Sequence, residues 1–305
     1  MSLDIESSSA APAPPGALAP TPAELAATYG LSVSGARPGL GAYVRQLWGR
    51  RHFISSYATA RASAQYTQAR LGQLWQVLTP LLNAAVYYLI FGLLLGTDRG
   101  VDNFIAFLVT GIFVFTFTQS SVMAGVRAIS GNLGLVRALH FPRASLPIAF
   151  TLVQLQQLLM SMLVLVTIVL MTGEVPGPSW LLAIPALVLQ SVFNAGLALV
   201  MARLGSKMTD LAQLMPFILR TWMYISGVMY SISHVTAHAP HIVRIVLGLN
   251  PASIYIDLMR FALIDSFTSA QMPPHVWALA LGWALVMGVG GFVWFWKAEE
   301  RYGRG

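Results

Sequence analysis

Residues 71–96, LGQLWQVLTPLLNAAVYYLIFGLLLG, contain no charged side chain. At ~1.5 Å rise per residue, a helix of this length matches a hydrocarbon core roughly 30 Å thick, so the stretch predicts a membrane span. Pro80, Asn83 and the aromatic run Tyr87, Tyr88, Phe91 make it bulkier and more polar than a plain anchor needs. One face is therefore expected to meet something other than lipid, which makes the span a candidate pathway wall.

Composition carries the same conclusion across the chain. Of 305 residues, 56% are hydrophobic and 10% charged, against roughly 25% charged in soluble domains, so a polytopic membrane protein is expected. The absence of cysteine removes disulfides, Cys-ligated zinc and thiol nucleophiles together. A formal charge of +7 could suggest nucleic acid, but the basic residues flank apolar spans, and topology accounts for them without DNA. Residues 1–40 are rich in Ala, Pro and Ser and lack both a basic start and a continuous apolar run. They are expected to be a disordered cytoplasmic tail and not a secretory signal.

Five further stretches are long and apolar enough to cross: residues 104–124, 146–172, 180–202, 211–232 and 276–296. The predicted fold is all-α, with six transmembrane helices and both termini on one side. Arg45, Arg50, Arg51, Arg61 and Arg70 precede the first span and Arg127, Arg137 and Arg143 follow the second. Arg203 and Lys207 follow the fourth, and Lys297, Arg301 and Arg304 follow the sixth. The opposite loops carry Asp98, Arg99, Asp102 and Glu174. The positive-inside rule puts both termini in the cytoplasm, and the chain in the cytoplasmic membrane.

Between the tail and the first span, residues 41–70 interleave Arg45, Arg50, Arg51 and Arg61 with Leu47, Trp48, Phe53 and Ile54. Residues 43–66 read as an amphipathic interface helix that sits at headgroup level or meets a partner, or else serves as a topological anchor alone. Residues 71–305 form the membrane domain. Its cytoplasmic segment 126–149 holds a short helical piece around Leu133, Leu135 and Val136, flanked by Gly131, Gly134 and Pro142, and reads as an element that protrudes to be gripped. The external segment 233–274 holds two apolar pieces too short to span, the second opened by the N-cap pair Asn250-Pro251. They are expected to be re-entrant half-helices buried against protein.

The chemistry-bearing residues are few. There is no GxxxxGK[ST], so a nucleotide-driven process needs the ATPase on another polypeptide. His234, His238 and His241 fall at helical spacing, but Pro240 interrupts it and no carboxylate lies among them, so no metal site is assigned. No serine sits in a nucleophile-elbow context either. Arg220 lies within the fifth span, where a guanidinium costs ~2.5–3.5 kcal/mol at bilayer centre. It either faces an interior, a water-filled cavity or a lipid phosphate together with Phe217 and Tyr224, or snorkels beside Asp210. Tyr87, Tyr88, Phe91, Trp222, Tyr224 and Tyr230 either stack sugar rings along a conduit or pack at the interface. Asp257 and Arg260, at i and i+3, are expected to pair on a helix surface. Gly92 and Gly96 form a GxxxG suited to close packing.

The ordered set RLGQLWQVLTPLLNAAVYYLIFG, NLGLVRALHFPRASLPIA, MTDLAQLMPFILR, LNPASIYIDLMRFALI and FWKAEERYGRG resembles the permease subunit of ABC-2 type polysaccharide exporters, over about residues 43–305. The NAAVYYLIFG and AEERYGRG runs look most like the actinobacterial galactan exporters. The resemblance implies an interface helix carrying Arg45, Trp48, Arg50 and Arg51. It implies a coupling helix at residues 132–143 that seats in an ATPase cleft, with Arg127, Asn132, Leu135, Val136, Arg137, Phe141 and Arg143. It also implies gate helices carrying Arg244, Asp257 and Arg260 within residues 241–265. Two permeases and two ATPases would assemble, with ATP and Mg bound by the ATPase. Spans one and five would line a channel through Tyr87, Tyr88, Phe91, Phe217, Arg220, Trp222, Tyr224 and Tyr230, for a glycan on a polyprenyl diphosphate. Residues before 40 have no counterpart in that pattern.

Two other classes fit less of the sequence. A membrane-embedded enzyme acting on lipid-linked sugars needs clustered carboxylates or histidines near one bilayer face, and the spans carry almost no acid. An ion-coupled secondary transporter usually shows midplane ionisable groups and repeat symmetry, and here there is Arg220 and no repeat.

Overall fold

A computed structural model describes residues 21, 25, 28–29, 38–65, 74–94, 101–138, 141–232 and 240–302. The chain divides into Met1–Ala36 and Arg37–Gly305. In the first unit, the Leu25 N–H donates to Thr21 and the Tyr29 N–H to Leu25, which are helical i→i−4 bonds.

In the second unit every regular element among the described residues is helical. In chain order these are α1 (Leu40–Gly49), α2 (Arg51–Ala64), α3 (Trp75–Tyr87, running into a π-helical turn Tyr88–Leu94) and α4 (Phe104–Val126). Next come α5 (Leu133–Ala138), α6 (Ser145–Met171), α7 (Ala183–Gly205, entered through a 3₁₀ turn Pro178–Leu182) and α8 (Leu211–Ile225). The last are α9 (His241–Gly248), α10 (Pro251–Leu263) and α11 (Val276–Leu285), which a π turn Val286–Gly291 joins to α12 (Phe292–Trp296). Four rods have the length and apolarity of membrane spans: Phe104–Val126, Ser145–Met171, Pro178–Gly205 and Val276–Trp296. The bent pair α9 and α10, kinked by 68°, makes a fifth if it is one broken span.

The layout follows from where apolar surface is continuous. α4 is apolar around its whole circumference and so becomes the buried axis of the bundle, packed on α6, α7 and α10. Its start is fixed by Asn103, which caps the Ala106 N–H at 3.2 Å and donates to Thr172 Oγ1 and Glu174 Oε1, both at 2.9 Å. That clamp joins the start of α4 to the end of α6 at one end of the bundle. At the other end Arg203 of α7 lies 4.0 Å over the Trp294 ring and donates to the Trp294 carbonyl.

Two predicted elements have different bounds. The interface helix is two helices with a joint at Arg50, whose N–H turns back to both Gln46 and Leu47. The fifth span, expected over 211–232, is helical only to Ile225. Gly227 takes the left-handed φ of 65° that a side chain resists, and residues 226–231 return as a buried turn. The expected N-cap at Asn250 and N1 proline at Pro251 are both present, with Asn250 Oδ1 accepting from the Ala252 N–H at 3.1 Å.

Candidate functional site

On α8, Phe217, Arg220 and Tyr224 share one face, as their spacing predicts, and all three are exposed. Phe217 is 72% exposed, extreme for an apolar ring. Arg220 stands nine residues beyond Leu211, about 13 Å along the helix axis. Tyr87 of α3 lies within electrostatic reach of both Tyr224 and Arg220, and its ring meets Phe91 at 6.4 Å. The Tyr230 hydroxyl closes on the Tyr224 carbonyl at 2.9 Å. The other two expected wall residues turn inward. Trp222 donates to Asn250 Oδ1 at 2.9 Å and meets Phe115 edge-on, because it sits opposite Arg220 on α8. Tyr88 packs toward Phe104 at 6.4 Å. Gly92 lies in the π turn of α3, and Gly96 lies outside the described residues.

Arg260 explains why α8 stops where it does. Arg260 is 1% exposed; its guanidinium sits 3.3 Å over the Phe107 ring and donates to the carbonyls of Phe107 (3.2 Å), Gly227 (3.0 Å) and Val228 (2.9 Å). Asp257 Oδ1 adds a contact at 3.4 Å. The pair is therefore formed but is not the helix-surface pair expected: it is buried, and it pins the turn after α8 to α4 and α10. A lone buried guanidinium would be very costly, and here three carbonyls and a carboxylate hold it. Arg244, the third expected gate residue, is exposed on α9.

At the opposite end, the expected coupling residues divide. Arg127, Leu133, Gly134 and Arg137 are exposed, so α5 offers a short presented surface. Val136 is buried beneath it and Leu135 half-buried. Asn132 donates back to the Ala128 carbonyl at 3.0 Å, and Phe141 packs on Phe53 of α2 at 5.9 Å. Arg143 is turned inward. Its N–H donates to Glu299 Oε1 at 3.0 Å and its guanidinium to the Glu299 carbonyl. Tyr43 completes the node, donating to Glu299 Oε2 at 2.8 Å and accepting from the Ala144 N–H at 3.1 Å. Burial pushes the Glu299 carboxyl above its ordinary value against the pull of Arg143 and Tyr43, and burial likewise raises Tyr43 and Tyr302. In α1 and α2, Arg45, Trp48, Arg50 and Arg51 are exposed, with Arg51 5.5 Å over the Trp48 ring.

Sequence reasoning missed Tyr43 and Glu299, because no local pattern joins residues 256 positions apart. The only earlier signal was the acid pair Glu299 and Glu300 set among Lys297, Arg301 and Arg304. His234 and His238 lie outside the described residues, and among the described residues no three His, Cys, Asp or Glu could hold a metal.

The family profile of the ABC-2 type transporter matches residues 56–264. The chain belongs to the ABC-2 type transporter family. The match runs from α2 to the end of α10, so it takes in the α3 and α8 face, the expected coupling segment and the bent pair. Curated relatives include an O-antigen export system permease protein RfbA of Myxococcus xanthus, 27% identical over 68% of this chain and 78% of that one. Another RfbA, of Klebsiella pneumoniae, is 27% identical over 55% of this chain and 64% of the relative. The polysialic acid transport protein KpsM of Escherichia coli is 24% identical over 67% and 78%. All three relatives are named as export or transport proteins, and none as an enzyme. An ABC-2 chain with several apolar helices is a multi-pass membrane protein, as its composition predicts.

Proposed function

We propose that this ABC-2 chain is the permease subunit of an exporter that moves a polyprenyl-diphosphate-linked polysaccharide across the cytoplasmic membrane, using ATP hydrolysed on a separate subunit. The observation that carries the reading is the α8 face: Phe217, Arg220 and Tyr224 exposed side by side, with Tyr87 of α3 in reach. A guanidinium on an exposed membrane-helix face is costly in lipid and favourable beside water or phosphate. Two copies meeting through that face enclose a conduit with aromatic rings for sugars and Arg220 for the diphosphate. The exported chain is a galactan or a related cell-envelope glycan, as the NAAVYYLIFG and AEERYGRG runs suggest.

In this reading the chain crosses six times, α3 and α8 each serving as a span, with both termini in the cytoplasm. The arginine-rich end, with Arg45, Arg50, Arg51, Arg127, Arg137 and Arg203, then faces the cytoplasm, and the end with Asp102, Glu174 and Asp265 faces outward. Two ATPases grip the two α5 surfaces through Arg137, Leu133 and Arg127, and supply ATP and Mg. Trp48, Arg45 and Arg50 lie at the lipid headgroups. Affinity purification of the tagged chain from its own membrane tests the assembly. The expected result is an ABC ATPase recovered in equal amount and lost on Arg137→Glu. Recovery of the chain with no ATPase overturns it.

A further inference from the structure

A cavity of about 660 Å³ opens between α9, α10 and the segment leading into α11, at the end of the bundle where α4 begins. Its volume falls in the roughly 300–1,000 Å³ range of small-molecule sites. The walls are mainly aliphatic, with Ile245, Leu249, Met272 and Leu279 among them. The polar groups are few and fixed. Asp257 lines the cavity with a side chain only 9% exposed; Arg260 holds Oδ1, and nothing among the described residues donates to Oδ2. Gln271 is anchored by the bond from the Thr268 N–H to its Oε1 at 3.1 Å, which leaves its NH2 as a donor. Arg244 lines the same cavity.

The ligand's chemistry follows from this set. An oriented carboxylate oxygen without a donor asks for a hydroxyl or an ammonium. Arg260 already neutralises the one carboxylate, so a cationic ligand gains little there over a neutral hydroxyl donor. A ligand with neutral hydroxyls satisfies both groups, donating to Asp257 and accepting from Gln271, while its C–H faces cover the aliphatic walls. We infer that this cavity is a saccharide subsite on the exit side of the bundle, an inference that rests on the polysaccharide-export reading. The α9 and α10 hairpin then touches the emerging glycan directly.

Saturation-transfer NMR on the full chain in phospholipid nanodiscs, free of glycoside detergent, tests this with methyl β-D-galactopyranoside and lactose, and with glycerol as control. Transfer to the sugar ring protons and none to glycerol is expected. Leu279→Trp, which fills the cavity without touching the Asp257–Arg260 pair, is expected to abolish the transfer while thermal unfolding stays unchanged. Gln271→Leu, at a surface turn, is expected to weaken binding about fivefold, the loss of one neutral hydrogen bond. Equal transfer in wild type and Leu279→Trp, or no transfer to either sugar up to its solubility, overturns the subsite. A parallel measurement of surface glycan in cells separates the two readings. Export without sugar binding removes the subsite alone, and sugar binding without export removes the export reading on which the subsite's exit-side role rests.

Discussion

The Tyr43 hydroxyl donates to Glu299 at 2.8 Å, joining the first helix of the membrane unit to the segment after the last across 256 residues. Arg143, just before α6, closes on the same glutamate. The node thus ties α1, the entry to α6 and the segment after α12 into one corner, and the exposed part of α5 stands outside it. Two arginines six positions apart consequently have different work. Arg143→Glu places a second carboxylate beside Glu299 and removes the part-buried bond from the guanidinium to the Glu299 carbonyl, and is expected to cost about 1–3 kcal/mol of stability. Arg137→Glu, on the exposed part of α5, is expected to cost less stability than Arg143→Glu while lowering ATPase recovery. Thermal unfolding in micelles beside pull-down of the ATPase checks both; equal behaviour of the two variants contradicts the division.

The same node carries a pH dependence. Burial raises the Glu299 carboxyl above 4.5, so the folded state holds its proton more tightly than the unfolded state does. The resulting stability is fullest below pH 4.5 and is lost as pH rises through the raised value. Glu299→Gln stays neutral throughout. The unfolding temperature of the variant relative to wild type is expected to climb as pH rises from the ordinary carboxylate value through the raised one. A constant difference contradicts the assignment.

Gly111 faces Arg260 so closely that an added Cβ would lie 2.7 Å from Nη2 and 3.0 Å from the Val228 carbonyl. Gly111→Ala is expected to destabilise by about 1–3 kcal/mol, because neither the buried guanidinium nor the turn backbone can give way. Gly282→Ala meets nothing within 4 Å and is expected to stabilise by about 0.5–1 kcal/mol through its helix propensity. Paired thermal melts read both, and a loss of stability at Gly282 equal to that at Gly111 removes the keystone role of Arg260.

The chain has no cysteine of its own, so single-cysteine cross-linking is clean. Phe217→Cys in native membranes is expected to give an oxidation-dependent dimer through the α8 face. Met171→Cys, also exposed but at the end of α6, is expected to give no cross-linked dimer. The reverse pattern places the contact between copies elsewhere.

Much of the architecture was legible because the signals for it are local. An uninterrupted apolar run set the last span at Val276–Trp296, and Asn250-Pro251 announced the start of α10. The shared face of Phe217, Arg220 and Tyr224 followed from helical spacing alone. What was not legible depends on distant partners. The apolar pattern of 211–232 continues past Ile225, and the helix stops there because Arg260, 33 residues after Gly227, takes the carbonyls of the turn. Trp222 reads as a wall aromatic until Asn250 and Phe115 are found beside it. Arg143 reads as a free basic residue until Glu299 arrives from the far end of the chain.

Export of a lipid-linked polysaccharide has a direct readout in living cells. The most direct measurement is the location of that glycan in cells depleted of this chain and complemented with wild type or Arg137→Glu. The account predicts that depletion removes surface polysaccharide and traps polyprenyl-diphosphate-linked glycan on the cytoplasmic side, that wild type restores export, and that Arg137→Glu does not. Undiminished surface polysaccharide with no trapped intermediate in the depleted cells would contradict it.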